Sequence, residues 1–338
     1  MTKRTPEQVI GPLARQTMEY EYELWGYGEA IGLEGLLAAA GVLDRKPYFD
    51  FAENLMSTWI ADRPDIDYAD HVAPGRALVD VYEQTNHSPF LDQAERLGEF
   101  YADLPRTPEG ATLHRPDHDE YSEYVYVDCM HVDGPFLCRL AQVTGNSGYF
   151  DLAADLLRGH VRVLQDDDTG LFYHLYDAGR AVTNGAFWGR GNGWSLLGLV
   201  ETLIRLPTDH PSQPLLATCL NRQADQLARL QGDSGHWHTV LDDPDTYLES
   251  SLSAFFSAGF LRAFRAGLLP RRYLTVADKA WTALTSRIDT QGQLTGVSEA
   301  TPPGSAEHYD QVDTGGGYPW GQGPALLAAA TRLDFKRD

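Results

Sequence analysis

The chain has 338 residues, 43% of them hydrophobic and 22% charged; that is enough for one large core, and no linker divides it, so one domain over 1–338 is expected. Its formal charge of −21 repels nucleic acid and anionic membrane over most of the surface and excludes both as partners. About twenty consecutive apolar residues occur nowhere, and the basic start Met1-Thr2-Lys3-Arg4 has no apolar run behind it, so the expected location is the cytoplasm.

Six stretches are small and apolar on every side, the pattern of buried helices. The first, 30–42, follows Trp25-Gly26-Tyr27-Gly28, and the second, 77–82, follows Asp70-His71-Val72-Ala73-Pro74-Gly75. Next comes Thr85-Asn86-His87-Ser88-Pro89-Phe90-Leu91-Asp92-Gln93-Ala94, which opens an amphipathic stretch with Phe90, Leu91, Ala94, Leu97 and Phe100 on one face. The third buried stretch, 135–143, follows Tyr126-Val127-Asp128-Cys129-Met130-His131. Behind it, Thr144-Gly145-Asn146-Ser147-Gly148-Tyr149-Phe150-Asp151-Leu152-Ala153 repeats the earlier spacing of Thr, Ser, aromatic, Asp and Ala. The fourth, 195–206, follows Trp188-Gly189-Arg190-Gly191-Asn192-Gly193-Trp194. The fifth, 250–269, follows Tyr247-Leu248-Glu249, and the sixth, 324–333, follows Tyr318-Pro319-Trp320-Gly321-Gln322-Gly323. Partial copies of the repeat stand at Tyr48-Phe49-Asp50-Phe51-Ala52 and Tyr273-Leu274-Thr275-Val276-Ala277. Six buried helices alternating with amphipathic outer ones, at a period of roughly fifty to sixty residues, predict an all-α fold, an (α/α)6 barrel or six-hairpin toroid, rather than an open solenoid or two bundles.

In such a toroid the six loops before the buried helices open at one end, so their aromatic, glycine and polar residues converge on one bowl. A second series ends in histidine: Gly110-Ala111-Thr112-Leu113-His114, Gly170-Leu171-Phe172-Tyr173-His174 and Gly235-His236-Trp237-His238. Three histidines at matching repeat positions would point the same way, although each could instead satisfy loop carbonyls. They lie on different spokes without close paired spacing, which speaks against a metal site, and no cofactor is expected. Cys129, Cys138 and Cys219 have no Cys-x-x-Cys spacing and read as buried free thiols.

Trp188 to Trp194 is the sharpest motif. Its glycines permit positive φ and close approach, its indoles offer faces for a pyranose, Arg190 supplies a planar fork for a carboxylate, and Asn192 adds a donor and an acceptor. A phosphate loop would need a Lys-Ser or Lys-Thr ending, which is missing. Asp128 stands behind Tyr124-Val125-Tyr126-Val127 at the mouth of a buried helix. A carboxyl walled by apolar side chains favours its neutral form, as a general acid requires; an ordinary helix N-cap is the other reading.

Trp25-Gly26-Tyr27-Gly28, Pro74-Gly75-Arg76-Ala77-Leu78, Val127-Asp128, Gly134-Pro135-Phe136-Leu137, the run 169–174, Trp188 to Trp194 and Tyr247-Leu248-Glu249-Ser250-Ser251 together resemble the unsaturated rhamnogalacturonyl hydrolases of glycoside hydrolase family 105. The chain is also similar, more distantly, to the unsaturated glucuronyl hydrolases of family 88. The resemblance runs over nearly the whole chain and implies an (α/α)6 barrel. It also implies that Asp128 is the catalytic aspartate and that Tyr27, His114, His174, Trp188, Arg190, Asn192 and Trp194 bind an unsaturated uronate. The implied partner is an oligosaccharide ending in a 4,5-unsaturated uronic acid, acted on by hydration of the double bond by a monomer or weak homo-oligomer. Three departures stand out: a longer segment between His114 and Asp128, Ala73 where relatives place Asn, and Asp133 where they place a small residue. A sugar epimerase on the same barrel and a non-catalytic carbohydrate-binding protein are the alternative functions.

Overall fold

The computed structural model describes residues 4–22, 26–63 and 65–336; Trp25 of the first mouth loop lies outside the described residues. The helices in chain order are α1 (Pro6–Glu19), α2 (Tyr27–Leu43), α3 (Lys46–Asp62), α4 (Gly75–Thr85), α5 (Ser88–Asp103), α6 (Cys129–Thr144), α7 (Gly148–Leu164), α8 (Gly189–Arg205), α9 (Gln213–Arg229), α10 (Ser250–Arg265), α11 (Tyr273–Ser286), the short α12 (Ala306–Asp310) and α13 (Pro319–Phe335). A 3-10 turn, Ala69–Val72, precedes α4. Short strands decorate the connections: β1 (Tyr124–Tyr126), β2 (Leu175–Asp177) and β3 (Val182–Thr183) form one antiparallel sheet, with β4 (Trp237–His238) against β5 (Leu248–Glu249) and β6 (Thr295–Ser298) against β7 (Thr314–Gly316).

Helices α2, α4, α6, α8, α10 and α13 pack each on the next, and α13 returns to α2, so the inner ring closes. The outer partners are α3, α5, α7, α9 and α11, while the sixth hairpin is completed by α1, which packs on α13 from the opposite end of the chain. The expected (α/α)6 barrel is thus correct. The role of the amino-terminal helix was not foreseen, because α1 precedes the first repeat rather than following the last. No helix among the described residues is long and apolar enough to cross a membrane.

The recurring Thr-x-x-Ser spacing is a physical corner between inner and outer helices. Thr85 Oγ1 donates to the Val81 carbonyl and Thr144 Oγ1 to the Leu140 carbonyl, and Asn86 and Gly145 each follow in the left-handed region. The hydroxyls then accept from the backbone N–H groups of His87 and Asn146. The second series is a matched turn as well: Gly110, Gly170 and Gly235 all hold positive φ and donate their N–H to residues 107, 166 and 232, a conformation natural to glycine.

Ring closure needs small residues. A Cβ on Gly35 would lie 2.6 Å from the Gly323 carbonyl oxygen, and one on Gly323 would strike the backbone of Ile31 and Gly32. Because backbone rather than a flexible side chain is in the way, Gly323→Ala is expected to part α2 from α13 at a cost of about 1–3 kcal/mol or more. Urea denaturation would show this as a lower midpoint at constant m-value, and an unchanged midpoint would contradict the closing role of this joint.

An ion network with a buried centre, Glu34, Arg76 and Glu201, links the inner helices beneath the mouth. Arg76 on α4 bridges Glu34 on α2 (2.9 Å) and Glu201 on α8 (3.2 Å), and Glu201 also holds Arg205 (2.7 Å) and Arg262 of α10. His131 of α6 approaches Glu34 at 3.3 Å.

Candidate active site

The helix mouths enclose a cavity of about 820 Å³ to which α2, the 3-10 turn before α4, the N-cap of α6, α8 and α13 all contribute. Main-chain bonds between the loops set which side chains meet there. In the second hairpin the Ala69 N–H donates to the His114 carbonyl, in the third Val127 N–H to that of His174, and in the fourth Gly189 N–H to that of Thr239. Each acceptor is the fourth residue after the positive-φ glycine of its turn. The residue after each donor, respectively Asp70, Asp128 and Arg190, then lines the cavity.

This register explains why only two of the three expected histidines converge. His114 and His174 line the cavity, but the fourth hairpin places Thr239 at the equivalent position. His238 turns its Nδ1 to the Thr246 carbonyl, and His236 lies beside Ser234. It also makes Asp70 the repeat mate of Asp128, a relation set by these main-chain bonds.

The two aspartates are held differently. Asp70 receives His114 Nε2 on one oxygen and Arg115 Nη2 at 2.8 Å on the other. Burial alone would push its carboxyl up, but these two partners outweigh it and hold it below the usual carboxylate range. Asp128, the N-cap residue of α6, makes no side-chain capping bond, which removes the ordinary N-cap reading. Its Oδ2 is buried without a hydrogen bond and faces His174 Nε2 at 3.4 Å. Asp70 is therefore held by two partners, whereas Asp128 lines the cavity with one carboxyl oxygen left without a hydrogen bond.

His174 stacks on Trp188, ring centroids 4.1 Å apart and 25° between planes, and its Nδ1 contacts Tyr309 Oη at 2.7 Å. Burial lowers its proton affinity, opposed by Asp128, so its neutral form is favoured. Trp194 and Tyr27 form part of the floor, 6.5 Å apart, with Tyr27 Oη 3.3 Å from Cys129 Sγ. Trp320 and the tyrosines 121, 124 and 126 extend aromatic walls toward the mouth. Tyr126 and Arg115 come from the 114–128 segment that reads as long in the sequence. Cys129, Cys138 and Cys219 are buried free thiols, as expected.

Three expectations about the tryptophan motif change. It is not a loop: Trp188 is the N-cap of α8, and residues 189–194 are its first turns. Its glycines do not take positive φ; they give clearance, since a Cβ at Gly191 would lie 2.7 Å from Val127 Cγ1 and one at Gly193 2.7 Å from Phe255 Cγ. Asn192 does not line the cavity. Its amide accepts from Phe172 N and donates to the Phe172 and Trp188 carbonyls, so it fixes the height of the segment carrying His174, two residues further on.

Arg190 reaches the cavity wall with a guanidinium already engaged. Nη1 donates to the Ser298 carbonyl and hydroxyl, and Nη2 to the Glu299 carbonyl (2.7 Å) and Thr301 Oγ1 (2.9 Å). Glu249 lies 3.6 Å away and the Trp188 ring centroid 4.8 Å. Among the departures noted above, Asp133 is buried against Tyr101 and His160, away from the cavity, with its carboxyl pushed up by burial. Ala73 is buried at the end of the 3-10 turn. Neither lines the cavity.

Comparison with known proteins gives a consistent picture. Residues 5–336 match the profile of Glycosyl Hydrolase Family 88. The unsaturated rhamnogalacturonyl hydrolase YesR of Bacillus subtilis is 30% identical, over 97% of this chain and 95% of its own. An unsaturated 3S-rhamnoglycuronyl hydrolase of an Alteromonas species is 26% identical over 63% of this chain and 52% of its own. Among solved structures, a possible family 105 member from Salmonella enterica superposes with a TM-score of 0.92 at 24% identity, covering 99% of this chain and 95% of that one. The unsaturated glucuronyl hydrolase of Bacillus sp. GL1 does so with 0.75 at 16%, covering 96% of each.

Proposed function

The chain belongs to glycosyl hydrolase family 88, and on that premise we propose that it removes the terminal 4,5-unsaturated uronic acid from lyase-generated oligosaccharides of the unsaturated galacturonyl- or glucuronyl-rhamnose type. The observation that carries this reading is Asp128: a carboxyl free of capping duty, beside the buried His174, in an aromatic-walled cavity.

The C4=C5 bond of such a ring is an enol ether. Asp128 in its acid form donates a proton to C4, water adds its oxygen to C5, and the Asp128 carboxylate takes the proton released from that water. The product is a hemiketal at C5 that opens to a ketone and expels the aglycone, so one water is consumed and the double bond is lost. One carboxyl serves first as acid and then as base, and the paired-carboxylate spacing of retaining and inverting glycosidases does not apply. Asp70, tied to His114 and Arg115, supplies a fixed negative charge near the cation that develops when C4 is protonated.

Trp188, Trp194 and Tyr27 are the faces against which the ring lies. Arg190 receives the uronate carboxylate at Nη2, in place of Glu299 and Thr301, whose contacts are the more exposed pair; Nη1 keeps its buried bonds to Ser298. The double bond erases the stereochemistry at C4, so this pocket accepts either uronate, and selection falls to the wall of Arg115, Tyr121, Tyr124 and Trp320. The epimerase alternative requires two bases flanking one sugar carbon, whereas one of the two aspartates here is tied. The relatives above are named as hydrolases.

Incubation with lyase-generated fragments should abolish the ultraviolet absorbance of the conjugated double bond and release the aglycone. Absorbance that persists across pectin, ulvan and glycosaminoglycan fragments would overturn the proposal.

A further inference from the structure

Tyr309 sits on α12, the short helix inside the long connection between α11 and α13, yet its hydroxyl is buried against the reaction centre. Three groups surround Oη: the backbone N–H of Gly304 at 3.0 Å, the side-chain amide of Asn184 at 2.9 Å, and His174 Nδ1 at 2.7 Å. The first can only donate. The amide orientation of Asn184 is fixed by its other bonds, since its Oδ1 accepts from Leu175 N and its Nδ2 also donates to the Gly304 carbonyl. It therefore donates to Oη too.

A phenolic oxygen that accepts twice has only its own O–H left to give, and the remaining neighbour is His174 Nδ1. Nδ1 is then an acceptor and carries no proton. A neutral imidazole with an unprotonated Nδ1 bears its proton on Nε2, and Nε2 faces Asp128 Oδ2 at 3.4 Å. That oxygen has no other partner. The stack of His174 on Trp188 fixes the ring plane in which both contacts lie.

We propose that Tyr309 is a positioning residue that locks His174 in its Nε2–H tautomer, directing that N–H to Asp128 Oδ2 so that Oδ1 is the oxygen that exchanges a proton with substrate. The assignment deepens the reading of Asp128 as the acid and base and rests on it for its catalytic meaning. The groups facing His174 are Asp128 from α6, Arg190 and Trp188 from α8, Tyr126 from β1, and His308 and Tyr309 from α12. Of these, only Tyr309 meets Nδ1 with a hydrogen bond.

The test begins on the free protein. In the ¹⁵N spectrum of labelled protein at neutral pH, with His174 assigned by its absence from His174→Gln, Nδ1 should resonate as an unprotonated nitrogen and Nε2 as a protonated one. A protonated Nδ1 in the wild type would overturn the assignment whatever any variant does. Tyr309→Phe removes the donor and keeps the ring. It should shift the His174 signals toward the other tautomer and move the acid limb of the kcat profile up toward the ordinary histidine value. It should also lower kcat on the order of tenfold, with KM for an unsaturated disaccharide changed by less than about twofold. An unchanged tautomer or an unchanged kcat in a folded Tyr309→Phe protein would sink the positioning role. The spectrum needs no substrate: wild type that leaves the double bond intact while showing the assigned tautomer defeats the hydrolase proposal, and a wrong tautomer in an active enzyme defeats this one.

Discussion

Asp128→Asn is expected to lower kcat on an unsaturated disaccharide by about a thousandfold or more while leaving KM and the unfolding midpoint nearly unchanged. An amide matches the carboxyl in shape but can neither give an acidic proton to C4 nor take one from water. Little stability should be lost, because the carboxyl makes no capping bond and its Oδ2 has only His174 at 3.4 Å. The measurement is the rate of double-bond loss beside a denaturation curve. Retained activity would remove Asp128 from the mechanism and leave the fold untouched. An equal loss of stability and activity would instead make it a structural residue.

Glu201→Gln should do the reverse, lowering stability by about 3–5 kcal/mol with little effect on the chemistry of the folded fraction. Its carboxylate is buried among Arg76, Arg205 and Arg262, and the neutral amide would remove the negative charge that the three guanidiniums share, leaving buried Arg76 with Glu34 alone. Burial pushes this carboxyl up, but the three arginines overcome that and hold it well below its ordinary value of 4.5. A depressed folded-state value stabilises the native state above the unfolded value of 4.5, and that contribution is lost as pH falls through the folded value. The wild type should therefore hold this stability above pH 4.5 and lose it steadily as pH falls below that value, and the variant should lack that part of the acid-side slope. Urea midpoints across pH measure both; a shift below about 1 kcal/mol would mean the network is not holding the inner helices together.

The ring was legible because burial all round leaves a plain compositional trace. The stretches 30–42, 77–82 and 135–143 fall inside α2, α4 and α6, and the Thr-x-x-Ser repeat marks real corners. What stayed hidden has physical causes. The inner helices begin up to two turns earlier than their apolar runs, because the glycines of 189–193 are there for clearance against Val127, Leu252 and Phe255, and glycine in a row reads locally as loop. Tertiary packing overrides that propensity. Asn192 reads as a ligand by type, yet it spends its amide on Phe172 and Trp188. Nothing local separates those uses.

Asp70 was only partly findable: His114 and His174 stand four residues after their glycines, but Asp70 lies 40 residues before Gly110 and Asp128 42 before Gly170, so the main-chain bonds of Ala69 and Val127 are what pair the aspartates. Aligning the hairpins on those glycines does show that Thr239, not His238, is the third member beside His114 and His174. Tyr309 was not findable. It lies in a five-residue helix outside the repeat, and only the fold brings it 2.7 Å from His174.

The central claim is that the double bond, not the anomeric carbon, is attacked, and an unsaturated uronyl analogue joined to its aglycone through carbon rather than oxygen tests it most directly. Hydration predicts that the wild-type protein abolishes the analogue's ultraviolet absorbance and adds one water, with the carbon link intact. Persistent absorbance and unchanged mass, in a preparation that cleaves the oxygen-linked substrate and binds the analogue, would contradict the mechanism built on Asp128.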